Sequence, residues 1–192
     1  MTSVLQHLLA QGSPFVVLPA PDARSPREAA ALHGVDVAEL VRTEVIVTSG
    51  GPVALVIGAG DTFDLAAARG AVRDATARLA TAAEIRAVAD DCEPGSLPPL
   101  SHYLAVSVYV DPSVGALEQI VFPAGRPSVL VCMRRADVFL AEPVTVAALV
   151  GQPDSEPLAP SAVAPTRRIV LTDTPLVPAH LADSSGGSRG TA

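Results

Sequence analysis

The spacing of apolar residues along the chain predicts several short helices. Near the N-terminus, apolar residues recur at helical spacing, which predicts a helix over Ser3–Gln11. Ser25 suits an N-cap, Pro26 the first helical position and Glu28 the third, so a second helix is predicted over 26–33. Further helices are predicted over 37–40, 64–72, 82–89 and 134–140.

Runs rich in β-branched residues between these helices predict strands over 15–18, 43–48, 53–57, 103–110, 119–122 and 128–133. The turn Ser49-Gly50-Gly51-Pro52 predicts an antiparallel hairpin between two of them. The run 53–57 is apolar on both faces, as expected for a buried central strand. Because helices and strands are interspersed irregularly, the pattern favours an α+β fold, a compact mixed β-sheet surrounded by short helices.

The composition suits one folded domain followed by a segment of different character. Hydrophobic residues make up 49% of the 192 residues and aromatic residues only 3%, so we expect a core of Val, Leu, Ile and Ala. After about residue 151, Pro, Ser, Ala and Gly dominate. We therefore expect a single domain over 1–150 and a largely flexible tail over 151–192, in which 168–171 could add an edge strand.

One loop combines glycine and proline in a way that suits ligand binding through the main chain. It reads Pro94-Gly95-Ser96-Leu97-Pro98-Pro99-Leu100-Ser101. Glycine allows another molecule to approach closely, and proline fixes φ and removes a hydrogen-bond donor. Such a loop is stiff and presents open backbone amides. A plain turn is the alternative interpretation of the same residues.

The chain resembles the YbaK/prolyl-tRNA synthetase-associated domain family over roughly residues 14–142. The segments that carry the resemblance are, in order, Ser25-Pro26-Arg27-Glu28-Ala29-Ala30, Leu32-His33-Gly34-Val35, Val41-Arg42-Thr43, Gly60-Asp61-Thr62-Phe63-Asp64-Leu65, the 95–101 loop, Tyr109-Val110-Asp111, Ala124-Gly125-Arg126-Pro127 and Ala136-Asp137-Val138. The resemblance implies a strongly curved, barrel-like mixed sheet. It also implies a domain that hydrolyses aminoacyl esters from wrongly charged tRNA.

The resemblance also implies a set of site residues. Gly95 and Pro99 match the family's Gly-x-x-x-Pro loop, whose amides face the amino-acid ester, with Ser96 and Leu97 between them as substrate-binding residues. Arg42 stands where the family usually carries a lysine that clamps the terminal nucleotide or the ester carbonyl. Arginine keeps the positive charge but offers a planar fork instead of a compact ammonium group. A surface salt bridge to Glu39 or Glu44 is the alternative role for Arg42.

Further positions match the family or depart from it. Gly125 and Arg126 match the strand–turn and are predicted to bind substrate, and Asp137 matches a family aspartate that would orient a water or the substrate ammonium group. Asp137 could equally well cap the last helix. Ala20 replaces a tyrosine and Leu130 a serine of the family pattern, which predicts a less polar pocket.

Charge and cysteine usage restrict the partners and the compartment. A net charge of −7 argues against a broad nucleic-acid footprint, and so against a DNA-binding protein, but allows one or two arginines to hold the end of a tRNA. Cys92 and Cys132 stand far apart and suit structural thiols, and no histidine or cysteine spacing suits a metal. No apolar run is long enough to span a bilayer and residues 1–10 lack a basic start, so we expect a cytoplasmic protein.

The resemblance therefore predicts a hydrolase without cofactor, a deacylase that acts in trans on the 3′ end of a tRNA mischarged with a small amino acid. Water would attack the ester, aided by backbone amides and by the substrate 2′-hydroxyl. A prolyl-tRNA synthetase or another synthetase is a possible partner. The alternative is a catalytically degenerate binding module for a nucleotide or aminoacyl ligand, which the arginine at position 42 and the losses at positions 20 and 130 favour.

Overall fold

Two β-sheets and the short helices around them make up the part of the chain that this computed structural model describes, residues 1–139, 144–151 and 169–179. The helices are α1 Ser3–Gln11, α2 Pro26–Leu32, α3 Leu65–Val72, α4 Ala82–Val88, α5 Ser101–Leu104, α6 Pro112–Gly115 and α7 Arg135–Val138. The strands are β1 Val16–Pro19, β2 Val41–Thr48, β3 Gly51–Gly58, β4 Arg78–Leu79, β5 Ser107–Val110, β6 Gln119–Arg126, β7 Val129–Arg134 and β8 Thr145–Val146.

The larger sheet has the strand order β4-β2-β3-β5-β8, in which β3–β5 and β5–β8 are parallel pairs. The smaller sheet, β1-β7-β6, is antiparallel. An isolated bridge between Leu40 and Val121 joins β6 to the chain just before β2. The α+β class and the mixed sheet are therefore confirmed, but the described strands form two sheets and no closed barrel.

The hairpin predicted around Ser49–Pro52 is present, with β2 and β3 paired from Val41–Gly58 to Thr48–Gly51. Residues 54–57 of β3 are fully buried because this strand lies between β2 and β5. The prediction of a buried central strand is confirmed. Arg42 lies near the start of β2 and is thus held on a rigid part of the sheet.

Local capping explains why several helices begin where the sequence predicts. The Ser25 hydroxyl accepts a hydrogen bond from the Glu28 N–H at 3.2 Å at the start of α2. Thr81 and Glu84 form a reciprocal capping box at the start of α4. Because these caps use residues within one helical turn, they can be found without knowledge of the fold.

Three predicted elements differ from the structure. The run 103–110 is not one strand: α5 occupies its start and only Ser107–Val110 is extended. Residues 37–39 form a turn rather than a helix, and Leu40 bridges to Val121. Of the predicted edge strand 168–171, residues 169–171 are described and belong to no strand. Instead, Leu176 pairs with the edge of β1 through the backbone of Phe15 and Val17.

The boundary between a 1–150 domain and a 151–192 tail stays a prediction. Residues 144–151 pack on the larger sheet, where Thr145–Val146 pairs with β5. Within the tail, Leu176 hydrogen-bonds to β1. Most of the tail that is predicted to be flexible, residues 152–168 and 180–192, lies outside the described residues, as does Leu140 at the end of the predicted last helix.

The Asp111 carboxylate connects β5 to the 144–151 segment. It accepts hydrogen bonds from the N–H of Ser113 at 2.9 Å, from the Ser113 hydroxyl at 2.7 Å and from the N–H of Leu149 at 2.9 Å. Burial by itself would raise the pKa of Asp111, but these donors outweigh it and the pKa is lowered. The charged carboxylate therefore stabilises the folded state.

Replacing Asp111 by asparagine should destabilise the fold by about 2–3 kcal/mol at neutral pH, because hydrogen bonds to a charged acceptor are lost. The folded pKa lies below the unfolded one, so this contribution is present above about pH 4 and disappears as the pH falls below it. Urea unfolding at several pH values checks this, with Asp22→Asn on an exposed residue as control. An unchanged gap between Asp111→Asn and the parent protein at acid pH would contradict it.

Candidate functional site

The 94–101 loop is anchored to the end of β6 by backbone hydrogen bonds. The Glu93 N–H donates to the Gly125 carbonyl at 2.9 Å, and the Gly125 N–H donates to the Ser96 carbonyl at 3.0 Å. Gly125 has a φ of +83°, and a Cβ there would lie 3.5 Å from both Cys92 Sγ and a methyl group of Val4. A glycine is therefore required where the loop meets the strand. Gly125 thus positions the loop.

Two cavities, called here the larger and the smaller chamber, lie beside this loop and the start of β2. The larger chamber has a volume of about 240 Å³ and is walled by β2, α4 and the loop. The smaller chamber, about 160 Å³, lies between the start of α2, β2 and the loop. Arg42 and Gly95 line both chambers. The two residues that the sequence singled out first thus line the same two chambers.

The Arg42 guanidinium is already engaged within the protein. Nη1 forms an ion pair with the Glu44 carboxylate, and Nη2 donates to the carbonyl oxygen of Asp61 at 2.9 Å. The ion pair with Glu44 was one of the two alternatives for this residue. It does not remove Arg42 from the cavity, because the side chain remains 34% exposed. The contacts hold the cation in one orientation.

Three buried polar atoms at or beside the cavity have no hydrogen-bond partner among the described residues. They are Arg42 Nε, Thr43 Oγ1 and Ser96 Oγ. Buried polar groups are nearly always paired in folded proteins, because an unpaired one costs about 1–3 kcal/mol. Arg42 and Thr43 line the larger chamber, and Ser96 follows Gly95 in the loop. This arrangement favours a cavity that binds a polar ligand.

The loop offers fewer amide donors than its length suggests. Pro98 and Pro99 have no N–H, and the Ser96 N–H already donates to the Glu93 carbonyl at 3.0 Å. The N–H groups of Gly95 and Leu97 have no acceptor among the described residues. These two residues line the larger chamber, so their amides are the ones that could stabilise a developing negative charge on a substrate oxygen.

Cys92 also lines the larger chamber, but it is a poor nucleophile. Burial raises the pKa of its thiol to about 11, although a weak hydrogen bond between Cys92 and Tyr103 acts in the opposite direction. At neutral pH the sulfur therefore carries its proton, and the thiolate is the reactive form. Cys132 is more deeply buried, and burial raises its pKa to about 12. The prediction that both cysteines are unpaired structural thiols agrees with the structure.

Five predicted site residues are not among those that line the two chambers: Ser96, Pro99, Gly125, Arg126 and Asp137. Asp137 lies in α7, just after the end of β7 at which Arg134 pairs with Gln119. The smaller chamber is lined by Pro123, which lies several residue pairs further along the β6–β7 hairpin. Arg126 is exposed at the other end, 3.9 Å from Glu93, and lines a separate cavity. Pro99 is buried, and its fixed φ stiffens the loop. We therefore leave Asp137 and Arg126 out of the proposed site.

Other cavity residues were missed by the sequence analysis. Thr43, Ile85 and Arg86 all line the larger chamber. Thr43 could have been found from its neighbour Arg42, but nothing in the sequence of α4 indicates that this helix forms a wall of the cavity. Ala20 and Leu130, which the family pattern places near the pocket, line neither chamber; they are buried in one hydrophobic cluster with Leu40, which lines the smaller chamber. The predicted loss of pocket polarity stays a prediction.

Among the described residues, no group of three or more His, Cys, Asp or Glu side chains is arranged to hold a metal ion. No helix in the described part of the chain is long and apolar enough to cross a membrane.

The fold recurs in solved structures. A structure solved as a candidate trans-editing enzyme for prolyl-tRNA synthetase is 23% identical, with a TM-score of 0.68, covering 78% of this chain and 96% of that one. A hypothetical protein is 24% identical, with a TM-score of 0.67, covering 77% and 99% of the two chains. A scaffold used for computational epitope grafting is 21% identical, with a TM-score of 0.69, covering 78% and 95%. At these identities the likeness establishes the fold.

The sequence itself identifies the family. Residues 20–139 match the model of the aminoacyl-tRNA editing domain, which is well over half of the chain. The protein belongs to the aminoacyl-tRNA editing domain family, and the resemblance seen in its motifs is confirmed. No match was found among curated proteins.

Proposed function

We propose that this protein is a deacylase that acts in trans on tRNA mischarged with a small amino acid. The observation that carries the proposal is that Arg42 and Gly95 line both the larger and the smaller chamber. A substrate with two unlike parts, a nucleoside and an amino acid joined by an ester, suits two chambers that meet at these residues. The ester would lie at the junction.

The proposed reaction is attack of water on the ester carbonyl. A bond forms between the water oxygen and the carbonyl carbon, the bond from that carbon to the ribose oxygen breaks, and the proton lost by water is taken up by the departing ribose oxygen. The substrate's own neighbouring 2′-hydroxyl relays this proton. The products are a free amino acid and an uncharged tRNA.

The protein's part in this reaction would be to position and polarise the ester. The N–H groups of Gly95 and Leu97 would donate to the carbonyl oxygen as it gains negative charge. Arg42, held by Glu44 and by the Asp61 carbonyl, would supply a fixed positive charge next to it. The protonated thiol of Cys92 supports water, rather than this sulfur, as the attacking group.

The walls of the smaller chamber favour a small side chain. Pro26, Leu40 and Pro123 give it an apolar lining, and its volume is about 160 Å³. A synthetase pocket separates substrates that differ by one methylene by only about 1–3 kcal/mol, so small wrong amino acids need a second, hydrolytic site. A chamber of this size would admit a small side chain next to the ester. A prolyl-tRNA synthetase or another synthetase is the corresponding partner that we propose.

A binding module without catalysis is the second candidate, and the Arg42 contacts favour it. Two of the guanidinium nitrogens are occupied by protein groups, and the neighbouring Glu44 carboxylate offsets the charge. Such a site could bind a nucleotide or an aminoacyl ligand without activating the ester.

A panel of tRNAs charged with Ala, Cys or Ser separates the two candidates. We expect release of at least one amino acid to be accelerated at least about tenfold over buffer, equivalent to about 1.4 kcal/mol of barrier lowering. Release is followed as loss of acid-precipitable labelled amino acid. Correctly charged tRNA carrying a large amino acid serves as control. No acceleration for any member would favour the binding module.

A further inference from the structure

We propose that the larger chamber is a nucleotide subsite, in which Arg86 binds the 5′-phosphate of the terminal adenosine and Thr43 Oγ1 hydrogen-bonds to its ribose or base. This inference rests on the proposed function, because it takes a charged tRNA as the ligand. The family pattern suggests that Arg42 contacts the phosphate, whereas we assign this contact to Arg86 of α4. Arg42 then acts on the ester alone.

Arg86 is the cation at this chamber that is free to bind a phosphate. It lies in the last turn of α4, is exposed, and has no ion-pair partner among the described residues. The acid nearest to it in α4, Glu84, is bound by Arg78 through two hydrogen bonds of 2.6 and 2.9 Å and by Thr81. Positions two apart on a helix also do not face each other. Arg86 therefore keeps its full donor set.

The other charges that line the larger chamber cancel. Arg42 and Glu44 form an ion pair with each other, so their charges sum to zero over the wall as a whole. With Arg86 added, the wall carries one net positive charge in a protein whose overall charge is −7. A local positive charge of this kind suits one phosphate contact and not an extended nucleic-acid footprint.

Thr43 gives an independent sign of a polar ligand in the same chamber. Its side chain is only 8% exposed, it lines the chamber, and its hydroxyl has no hydrogen-bond partner among the described residues. A hydroxyl both donates and accepts, as contacts to ribose hydroxyls or base edges require. A bound nucleoside would satisfy this otherwise unpaired group.

The shape and lining of the chamber fit a nucleoside. Val45, Ile85 and Leu97 provide an aliphatic surface on which a base could lie, and the polar groups of Thr43 and Arg86 complete the wall. At about 240 Å³ it is larger than its neighbour at about 160 Å³. Since an adenosine is bulkier than a small amino-acid side chain, the larger chamber is the one that suits it.

The test compares binding of AMP and adenosine to the full chain by NMR titration. We expect amide shifts at Thr43, Val45 and Ile85, and AMP should bind about tenfold more tightly than adenosine because its phosphate forms charge-assisted hydrogen bonds. Arg86→Gln should reduce this ratio to about one. Thr43→Val should weaken both ligands equally. Arg73→Gln, on an exposed arginine outside the cavity, is the matched control and should change nothing.

Two results would overturn the nucleotide subsite. One is an Arg86→Gln protein that still prefers AMP over adenosine; the other is no binding of AMP at millimolar concentration. The outcome is separable from that of the deacylation panel. Phosphate-dependent binding without deacylation would retain the subsite and reject the proposed function, whereas deacylation unaffected by Arg86→Gln would retain the function and reject the subsite.

Discussion

Replacing Arg42 by alanine is expected to lower kcat/KM for deacylation at least about tenfold, a loss of about 1.4 kcal/mol of transition-state stabilisation. The guanidinium lines both chambers and is held in place by Glu44 and the Asp61 carbonyl. Removing it also leaves the Glu44 carboxylate unpaired in the wall, where it would repel the developing oxyanion. Stability should change little, because a partly exposed ion pair contributes about 0–1 kcal/mol.

A double variant separates the two effects of losing Arg42. If the guanidinium acts only by neutralising Glu44, then Arg42→Ala combined with Glu44→Gln should recover most of the activity. If it polarises the ester directly, the double variant should stay as slow as Arg42→Ala. Arg73→Ala serves as a control for loss of an exposed arginine. Full activity of Arg42→Ala would remove this residue from the site.

Arg42→Lys tests the departure from the family pattern in the same assay. A lysine keeps the charge but can reach its partners only through one nitrogen. An increase in activity over the parent protein would indicate that the arginine has weakened catalysis. A decrease would indicate that the two-pronged hold on Glu44 and Asp61 is part of the site.

The predictable part of the fold is the part that depends on neighbouring residues. The start of α2 is encoded by Ser25, Pro26 and Glu28 within one turn, and the structure forms the expected caps. α5 has no such local capping signal, since Leu100 at its N-cap makes no side-chain hydrogen bond. Tyr103 in α5 bonds instead to Asp91 and Ser3, which are distant in sequence. A β-rich run therefore becomes helical through tertiary contacts.

Some residues of the candidate site can likewise be predicted from local sequence, whereas others are placed there only by the fold. Arg42 and Gly95 could be predicted because each lies in a motif whose pattern is visible in the chain. Arg86 reaches the larger chamber only because α4 lines it together with β2, and no local pattern indicates that. Asp137 fits a motif but lies at the end of the β6–β7 hairpin away from the loop, and a linear pattern does not reveal which end of a hairpin faces a ligand.

Gly95→Ala should lower deacylation at least about tenfold while costing only about 1–2 kcal/mol of stability. Gly95 has a φ of +75°, a region that L-residues enter at a cost of roughly 1–2 kcal/mol. A Cβ there would meet nothing within 4 Å, so strain rather than a clash is the source of the cost. Relief of that strain would rotate the peptide and turn the Gly95 N–H away from the ester. Initial rates and urea unfolding measure the two quantities.

Gly12→Ala provides a matched control for this substitution. Gly12 has a φ of +69°, a Cβ there also meets nothing within 4 Å, and the residue caps α1 outside the cavity. Its loss of stability should therefore equal that of Gly95→Ala, with deacylation unchanged. Equal losses of activity in the two variants would show that backbone strain lowers the rate by destabilising the whole fold. A rate that falls only for Gly95→Ala would support the loop amides as donors to the substrate carbonyl, because the two variants differ in location and not in backbone conformation.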